Sequence, residues 1–314
     1  MIRLHTGMVL RCLLWAMIFP ILVVAAGTGH TGLLECIDSA GVGAPIPGNS
    51  VFGKNNYIEY VVGNLPVIIS VPHGGYLKPQ RIPDRELGSG GRQDTKTQEL
   101  AREIIESFRQ QTGKYPHVII NRLHRDKLDA NREQFDATLD DSIATIAWKE
   151  FHGFIDSAQR TLEQEWGRSL YIDLHGHRHS WQVVELGYLL VSSQLNMSDK
   201  QLDSIGMKQM TSFGHFTDHK LTASRLIRGD LSLGALLEKE GIATVPSPKI
   251  PHPGNKPYFS GGYNLEQHSA FSRRNAWGIQ VELPTGIRED KARRRAFADT
   301  FVKSLLGFLA NVRE

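Results

Sequence analysis

Histidine residues follow two apolar segments of the chain, and their positions suggest a metal site. His73 comes directly after the β-branched run 67–71, and three histidines occupy alternate positions in the segment 173–179. Imidazole nitrogens are common zinc ligands, and a carboxylate such as Asp173 can orient a ligating ring. We therefore expect a metal site in which His175, which is nearest to the strand end, is the best-placed ligand. The alternative is a solvent-exposed, histidine-rich loop without a metal.

An arginine and an amide lie close together in the segment DANR, residues 129–132. The guanidinium of Arg132 can bind a carboxylate through two parallel hydrogen bonds, and Asn131 can add a neutral contact. This pattern is typical of a site that holds an acidic group of a substrate. A purely structural pair between Asp129 and an arginine is the alternative.

A glutamate ends the apolar segment 278–283. Beside a metal, the carboxylate of Glu282 could accept a proton from an attacking water molecule. Glu185 lies in a similar apolar segment and is the competing candidate for this general base. A glutamate that is simply hydrogen-bonded at a strand end is the structural alternative.

A segment rich in proline and glycine covers residues 246–264 and ends in YFSGGYN. Its aromatic and amide side chains could form one wall of a substrate site, and Tyr263 is the aromatic residue that we expect to contact substrate. The same composition is also typical of a passive surface loop.

Apolar strands must position these residues. Strands are predicted at 67–71, 117–121, 170–174, 183–191, 243–245 and 278–283 from their continuous apolar or β-branched character. Helices are predicted from Asp94 or Thr95 to about Gln111, then over 141–166, 232–240 and 290–312, and regular structure is expected to begin at Pro66. Strands that alternate with helices predict a three-layer α/β/α sandwich with a mixed, mostly parallel sheet, which binds ligands at the carboxyl ends of its strands.

The overall composition is that of a globular protein. The chain has 314 residues, of which 40% are hydrophobic, and its 36 Lys and Arg residues nearly balance 33 Asp and Glu residues. This composition excludes a disordered chain and a multi-span membrane protein. The balanced charge argues against a nucleic-acid partner, which would favour a basic stripe.

The N-terminus has the pattern of a secretory signal peptide. Arg3 and Arg11 precede an uncharged run of fifteen residues over 12–26, and small residues follow it. We predict a signal peptide over residues 1–27, a lead-in over 28–64 and a catalytic domain over 65–314. The protein is then secreted and has no membrane contact after cleavage, and an uncleaved signal anchor is the alternative. The mature chain would keep one cysteine, Cys36, and one glycosylation sequon at Asn196, so an internal disulfide is excluded.

Six short motifs occur in an order that resembles the N-formylglutamate amidohydrolase family. They are SVPHGG (70–75), Asp94, DANR (129–132), DLHGH (173–177), FSGGYN (259–264) and QVELP (280–284). The resemblance covers about residues 67–308. It implies a fold shared with zinc carboxypeptidases and one catalytic zinc ion per chain.

The resemblance also implies roles for individual residues. His73 and His175 resemble zinc ligands, Glu282 the general base, and Asn131 and Arg132 the pair that holds a substrate carboxylate. For the acidic ligand the carboxypeptidase pattern would use the position of Tyr76, so we favour Asp94 and keep Asp84 as the reserve. Arg125 is expected to stabilise the oxyanion.

The implied activity is zinc-dependent hydrolysis of the amide bond of an N-acyl amino acid such as N-formylglutamate. Because a secreted protein is an unusual place for histidine catabolism, a secreted zinc peptidase or a poly-γ-glutamate hydrolase is the alternative enzyme. The expected partner is thus a small N-acyl, γ-glutamyl or peptide substrate. A binding module that holds a metal without catalysis is the alternative from another class.

Overall fold

The computed structural model describes residues 46–85, 92–214, 220–272 and 274–312. The predicted signal peptide (1–27) and Cys36 lie outside the described residues. Within the described ranges, no helix is both long enough and apolar enough to cross a membrane.

One mixed sheet forms the centre of the described structure. Its eight strands follow the order β1-β2-β4-β3-β5-β8-β6-β7. The strands are β1 (Ser50–Phe52), β2 (Ile58–Val61), β3 (Val67–Val71), β4 (His117–Asn121), β5 (Ser169–His177), β6 (Val184–Gly187), β7 (Thr244–Val245) and β8 (Ala276–Pro284). The four central strands β4, β3, β5 and β8 are parallel. β2 and β6 flank them in the antiparallel direction.

Helices cover both faces of this sheet, so the predicted three-layer α/β/α sandwich is confirmed. The described helices are α1 (Thr97–Thr112), α2 (Gln134–Thr138), α3 (Ser142–Trp166), α4 (Ser192–Leu195), α5 (Asp199–Leu202), α6 (Ile205–Gln209), α7 (Ala223–Ile227), α8 (Leu233–Lys239), α9 (Tyr263–His268), α10 (Thr285–Arg288) and α11 (Lys291–Asn311).

The alternation of side chains along the strands divides the apolar core into two layers. On β3, Val67, Ile69 and Val71 pack with α1 and α11 on one face. Ile68 points to the other face and packs with α3. A strand whose residues are buried on both sides must be apolar throughout, which explains the continuous apolar runs in the sequence.

Several helix ends match the sequence signals. Asp141 accepts hydrogen bonds from the backbone N–H groups of Ile143 and Ala144 at the start of α3, at 3.0 and 2.8 Å. Ser232 accepts from Ala235 at the start of α8. Gly113 ends α1 with a φ of 69°, a conformation that favours glycine.

Three sequence predictions about the elements are wrong. Regular structure begins before Pro66, because β1 and β2 extend the sheet within the segment predicted as a lead-in. Asp94 does not cap α1: the helix begins at Thr97, and the preceding residue Lys96 offers no side-chain cap. The strand predicted over 183–191 is only Val184–Gly187, and short helices follow it.

Candidate metal centre and active site

Three predicted ligands meet at the carboxyl ends of the central strands. The Nδ1 atoms of His73, after β3, and His175, on β5, lie 3.3 and 3.2 Å from the same oxygen of Asp94, Oδ2. All three side chains are buried, and one ligand atom of each lies within 4.8 Å of the others. The reserve ligand Asp84 lies on the surface with a side chain that is 71% exposed, and it pairs with Lys127 at 2.7 Å. The structure thus places Asp94, and not Asp84, beside both histidines.

Each histidine ring is held at its second nitrogen by a buried carboxylate. Nε2 of His73 lies 2.6 Å from Asp129, and Nε2 of His175 lies 2.7 Å from Asp173. An ionised carboxylate only accepts hydrogen bonds, so each Nε2 carries a proton. Without a cation, a protonated Nδ1 can donate to Asp94; the same nitrogen, once deprotonated, would offer its lone pair to a metal at the centre. The sequence suggested this role for Asp173. It did not suggest it for Asp129, which was considered only as a partner of an arginine.

Burial and hydrogen bonds have opposite effects on the pKa of Asp94. Burial alone would raise the pKa of this carboxyl, but hydrogen bonds from His175 and His73 hold the pKa well below its usual range. The backbone N–H of Gly176 donates a further hydrogen bond to Oδ2 at 3.2 Å. Asp94 is therefore an anionic ligand even without a cation.

Close backbone contacts around His73 explain the two glycines that follow it. A Cβ atom at Gly75 would lie 2.0 Å from the carbonyl oxygen of Leu123, and one at Gly74 would lie 2.3 Å from Oγ1 of Thr97. The loop after β3 therefore fits between α1 and the segment after β4 only if residues 74 and 75 have no side chains. Glycine is the residue that permits such a close approach.

A buried arginine joins the segments that carry the site. Arg288, in α10, donates to the carbonyl oxygens of Leu283 at 3.0 Å, His177 at 3.1 Å and Thr95. Its side chain passes beneath Gly176, where a Cβ atom would lie 2.2 Å from the Arg288 Nε atom. The guanidinium therefore binds the backbone within two residues of Asp94, His175 and Glu282.

Glu282 is the buried carboxylate with spare hydrogen-bonding capacity beside the three ligands. It lies opposite His175 in the β5–β8 register, and its Oε1 accepts from the Gln280 amide at 3.0 Å. Its buried Oε2 has no hydrogen-bond partner within the part of the chain that the structure describes. Burial raises the pKa of Glu282 to about 8; attraction to His175 opposes this shift, and repulsion from Asp94 adds to it.

The competing candidate, Glu185, has a different environment. Its Oε1 accepts from Nδ1 of His179 at 2.7 Å and from the indole of Trp181 at 3.1 Å. Its Oε2 accepts from the backbone N–H of Phe259 at 2.9 Å. Both oxygens of Glu185 accept hydrogen bonds, and Glu185 does not belong to the cavity wall, in contrast to Glu282.

His177, His179 and Glu185 form a second cluster that could in principle hold a cation. In His177, Nδ1 accepts from the backbone N–H of His179 at 3.1 Å, and Nε2 donates to the carbonyl of Val183 at 2.9 Å. A neutral imidazole has one donor and one acceptor, and both are occupied here. This cluster is better described as a hydrogen-bond network than as a metal site.

A cavity of about 490 Å³ opens over the three ligands and Glu282. Such a volume is within the range of small-molecule sites, about 300–1,000 Å³. Arg125 and Asn131, both predicted site residues, contribute to its wall. Phe259 and Gly261, from the segment that could form one wall of a substrate site, also line the cavity, together with four residues that the sequence did not single out: Arg92, Gln93, Arg178 and Gln280. Arg92 and Gln93 adjoin Asp94 in the chain, which is the one signal that could have found them.

Two predicted substrate residues lie outside the cavity wall. The Nε atom of Arg132 donates to Asp129 at 3.2 Å, and its side chain is 47% exposed. Tyr263 begins α9 and its ring contacts the ring of His152 at 5.7 Å between centroids. Arg125 is closer to the ligands: it pairs with Asp129 at 3.0 Å, and its Nη1 lies 3.9 Å from Oδ1 of Asp94.

Two solved structures resemble this fold along most of the chain. A crystal structure of N-formylglutamate amidohydrolase from Ralstonia eutropha JMP134 superposes with a TM-score of 0.50 and 14% sequence identity, and the match covers 84% of this chain and 97% of that one. The two chains share a fold. A gene product from Agrobacterium tumefaciens superposes with a TM-score of 0.51 and 13% identity, over 82% of this chain and 96% of that one. No protein-family model and no curated protein sequence matches the chain.

Proposed function

We propose that this protein is a zinc-dependent hydrolase that cleaves the amide bond of an N-acyl amino acid. The observation that carries the proposal is the unpartnered Oε2 atom of Glu282, buried in the same cavity as three convergent metal ligands. A carboxylate with a free oxygen beside a metal is what hydrolysis by an activated water requires. The fold shared with an N-formylglutamate amidohydrolase supports the same reaction class.

The donor set fits zinc. Two imidazole nitrogens and one carboxylate oxygen converge from His73, His175 and Asp94, and a catalytic zinc site commonly has three protein ligands and one open position. The rings are already oriented by Asp129 and Asp173, as ligating histidines usually are. A zinc ion held there would act as a Lewis acid and make a water molecule acidic enough to attack an amide at neutral pH.

Glu282 performs the proton transfers. Its Oε2 accepts a proton as the water oxygen attacks the carbonyl carbon, and it returns that proton to the nitrogen as the C–N bond breaks. Burial raises the pKa of Glu282 to about 8. A divalent cation on the neighbouring ligands favours the carboxylate and lowers this pKa, which keeps Glu282 ready to act as a base.

Basic side chains and an amide orient the substrate. Arg125 lies in the wall of the cavity near Asp94, so its guanidinium is suited to the developing negative charge on the carbonyl oxygen. Asn131 is fixed by the backbone N–H of Asn264, which donates to its Oδ1 at 2.7 Å. Arg132 remains the carboxylate anchor implied by the family resemblance, for a substrate that extends beyond the cavity wall.

An activity screen tests the proposal. The protein is loaded with zinc and offered N-formyl, N-acetyl, γ-glutamyl and peptide substrates, since a secreted enzyme, as the predicted signal implies, would meet the last two classes. We expect hydrolysis of at least one N-acyl amino acid, loss of activity after chelation and recovery on adding zinc. Tight zinc binding without hydrolysis of any substrate would instead support the metal-holding binding module.

A further inference from the structure

An exposed aromatic ring lies in the wall of the cavity, and its backbone is firmly held. The Phe259 side chain is 45% exposed, although it belongs to the cavity that contains the three metal ligands. Its ring stacks on the ring of His179, with centroids 4.8 Å apart and planes at 22°. An exposed aromatic ring in the wall of a cavity offers a surface on which a planar apolar group of a ligand can pack.

Three hydrogen bonds attach the segment around Phe259 to β6 and its neighbours. The Tyr258 hydroxyl donates to the carbonyl of Leu186 at 2.6 Å, and the backbone N–H of Phe259 donates to Glu185 at 2.9 Å. The backbone N–H of Leu189 donates to the carbonyl of Ser260 at 2.6 Å. The ring therefore presents a fixed surface, and a ligand that binds it need not supply the free energy of ordering it.

The buried carboxylate of Glu185 builds this wall. It holds the backbone of Phe259 through one oxygen, and it holds the ring of His179 and the indole of Trp181 through the other. One anionic group thus fixes both members of the stacked pair. Glu185 and His179 belong to the second cluster, which has no role in the proposed hydrolytic mechanism.

The strand order places this wall on the side of the ligands opposite to Arg125. Arg125 follows β4 in the chain, Phe259 is hydrogen-bonded to Glu185 on β6, and β3, β5 and β8 lie between them. Both residues line the same cavity, and the strands between them carry the candidate ligands and Glu282. A substrate whose carboxylate lies toward Arg132, beyond Arg125, would therefore direct its acyl group toward Phe259.

We propose that Phe259 and His179 form an acyl-group subsite, and that the preferred substrates are N-acyl amino acids with an aromatic or other planar apolar acyl group. This inference rests on the proposed function for the identity of the scissile amide. Face-to-face and offset contacts between planar groups favour such an acyl group beyond the burial of apolar area. A formyl group has no surface that could use this wall.

The test compares N-benzoylglutamate with N-formylglutamate, which differ only in the acyl group. Dissociation constants are measured by calorimetry on zinc-loaded protein that also carries Glu282→Gln, so that the compounds are not consumed, and kcat/KM is measured for both compounds with Glu282 intact. We expect the wild type to bind the benzoyl compound about tenfold or more tightly than the formyl compound. Phe259→Ala should remove this preference, and Phe259→Tyr should keep it.

Phe271 provides a matched control, because its side chain is 46% exposed and it does not belong to the cavity wall. Phe271→Ala should behave as wild type. The subsite is overturned if the wild type shows no benzoyl preference, or if Phe259→Ala and Phe271→Ala give the same ratio of dissociation constants. The proposed function fails separately, if neither compound is hydrolysed while the benzoyl preference in binding and its dependence on Phe259 persist.

Discussion

The Nε2 atom of His73 lies 2.6 Å from a carboxylate oxygen of Asp129, while the other nitrogen of the same ring faces Asp94. Asp129 is 1% exposed, and it also receives hydrogen bonds from Arg125 and Arg132. A carboxylate held in this way fixes both the orientation and the tautomer of the ring. The first metal ligand is therefore prepared by residues more than fifty positions further along the chain.

Asp129→Asn should weaken zinc binding about 10- to 100-fold, the usual effect of removing a partner that orients a ligand. An asparagine can present its amide N–H₂ to Nε2, which favours the wrong tautomer of His73. Zinc affinity is measured by competition with a chromophoric chelator. Asp84→Asn is the control, because Asp84 is exposed and pairs only with Lys127 among the described contacts; equal affinities for the two variants would contradict the role of Asp129.

One zinc ion per chain is expected, because both ring nitrogens of His177, Nδ1 of His179 and both oxygens of Glu185 already take part in hydrogen bonds. His175→Ala should lose the metal, and His179→Ala should retain it. Elemental analysis of the two purified variants and of the wild type measures this directly. Two zinc ions in the wild type and one in His179→Ala would show that the second cluster is a metal site.

Glu282→Gln should retain zinc and the fold but lose at least about a hundredfold in kcat, since general-base catalysis typically contributes ~10²–10⁴-fold. Glutamine has the size of glutamate but cannot accept the proton at neutral pH. Glu185→Gln should reduce the turnover of an N-formyl substrate much less, because both oxygens of Glu185 are occupied. The opposite order of the two kcat values would assign the base to Glu185.

Arg125→Ala should reduce hydrolysis more than Arg132→Ala. Arg125 belongs to the cavity wall, whereas Arg132 does not. The two variants separate the roles: we expect Arg125→Ala to lower mainly kcat, and Arg132→Ala to raise mainly KM for substrates that carry a carboxylate. If a substrate without a carboxylate is cleaved as well as its parent by the wild type, Arg132 is not an anchor.

Acid should destabilise the fold through His117, which lies on β4 away from the cavity. Two donors, the Tyr60 hydroxyl at 2.7 Å and the Gly63 N–H at 3.3 Å, converge on its Nδ1. Burial lowers the pKa of His117 to about 4. The unfolded chain takes up this proton near pH 6.5, so folding stability falls as the pH decreases from about 6.5 to 4, by up to about 3 kcal/mol.

Urea unfolding at pH 7 and at pH 4.5 measures this effect. His117→Asn keeps an acceptor near the position of Nδ1 but does not titrate in this range. Its free energy of unfolding should therefore change less between the two pH values than that of the wild type. An identical pH dependence for the two proteins would assign the acid sensitivity to other groups.

The sequence predicts the central strands well, because burial on both faces demands a continuous apolar run such as Val67–Val71. It fails for β2, whose four buried residues include Glu59 and so do not form a continuous apolar run, and for β1. β1 has three residues, of which two are exposed, and it lies at the edge of the sheet, where no such run is required. Edge strands leave a weak signal in the sequence for this reason.

In the site, residue type and position after a strand were enough to select His73, His175 and Glu282. They could not separate Glu282 from Glu185, because both glutamates lie in apolar strands and face each other in the β6–β8 register. The difference lies in partners supplied by distant segments, such as the backbone N–H of Phe259. Likewise, the sequence indicated Phe259 only as one member of a segment that could form a substrate wall. Its position in the cavity depends on the hydrogen bond that attaches its backbone to β6.

The Arg288 side chain passes beneath Gly176, and this packing restricts which residues position 176 can carry. One guanidinium is hydrogen-bonded to the backbone beside Asp94, His175 and Glu282, so it holds all three segments together. A Cβ atom at position 176 would overlap the Arg288 side chain. A methyl group there would therefore displace this arginine and change the distances between the two candidate ligands and the proposed base at the same time.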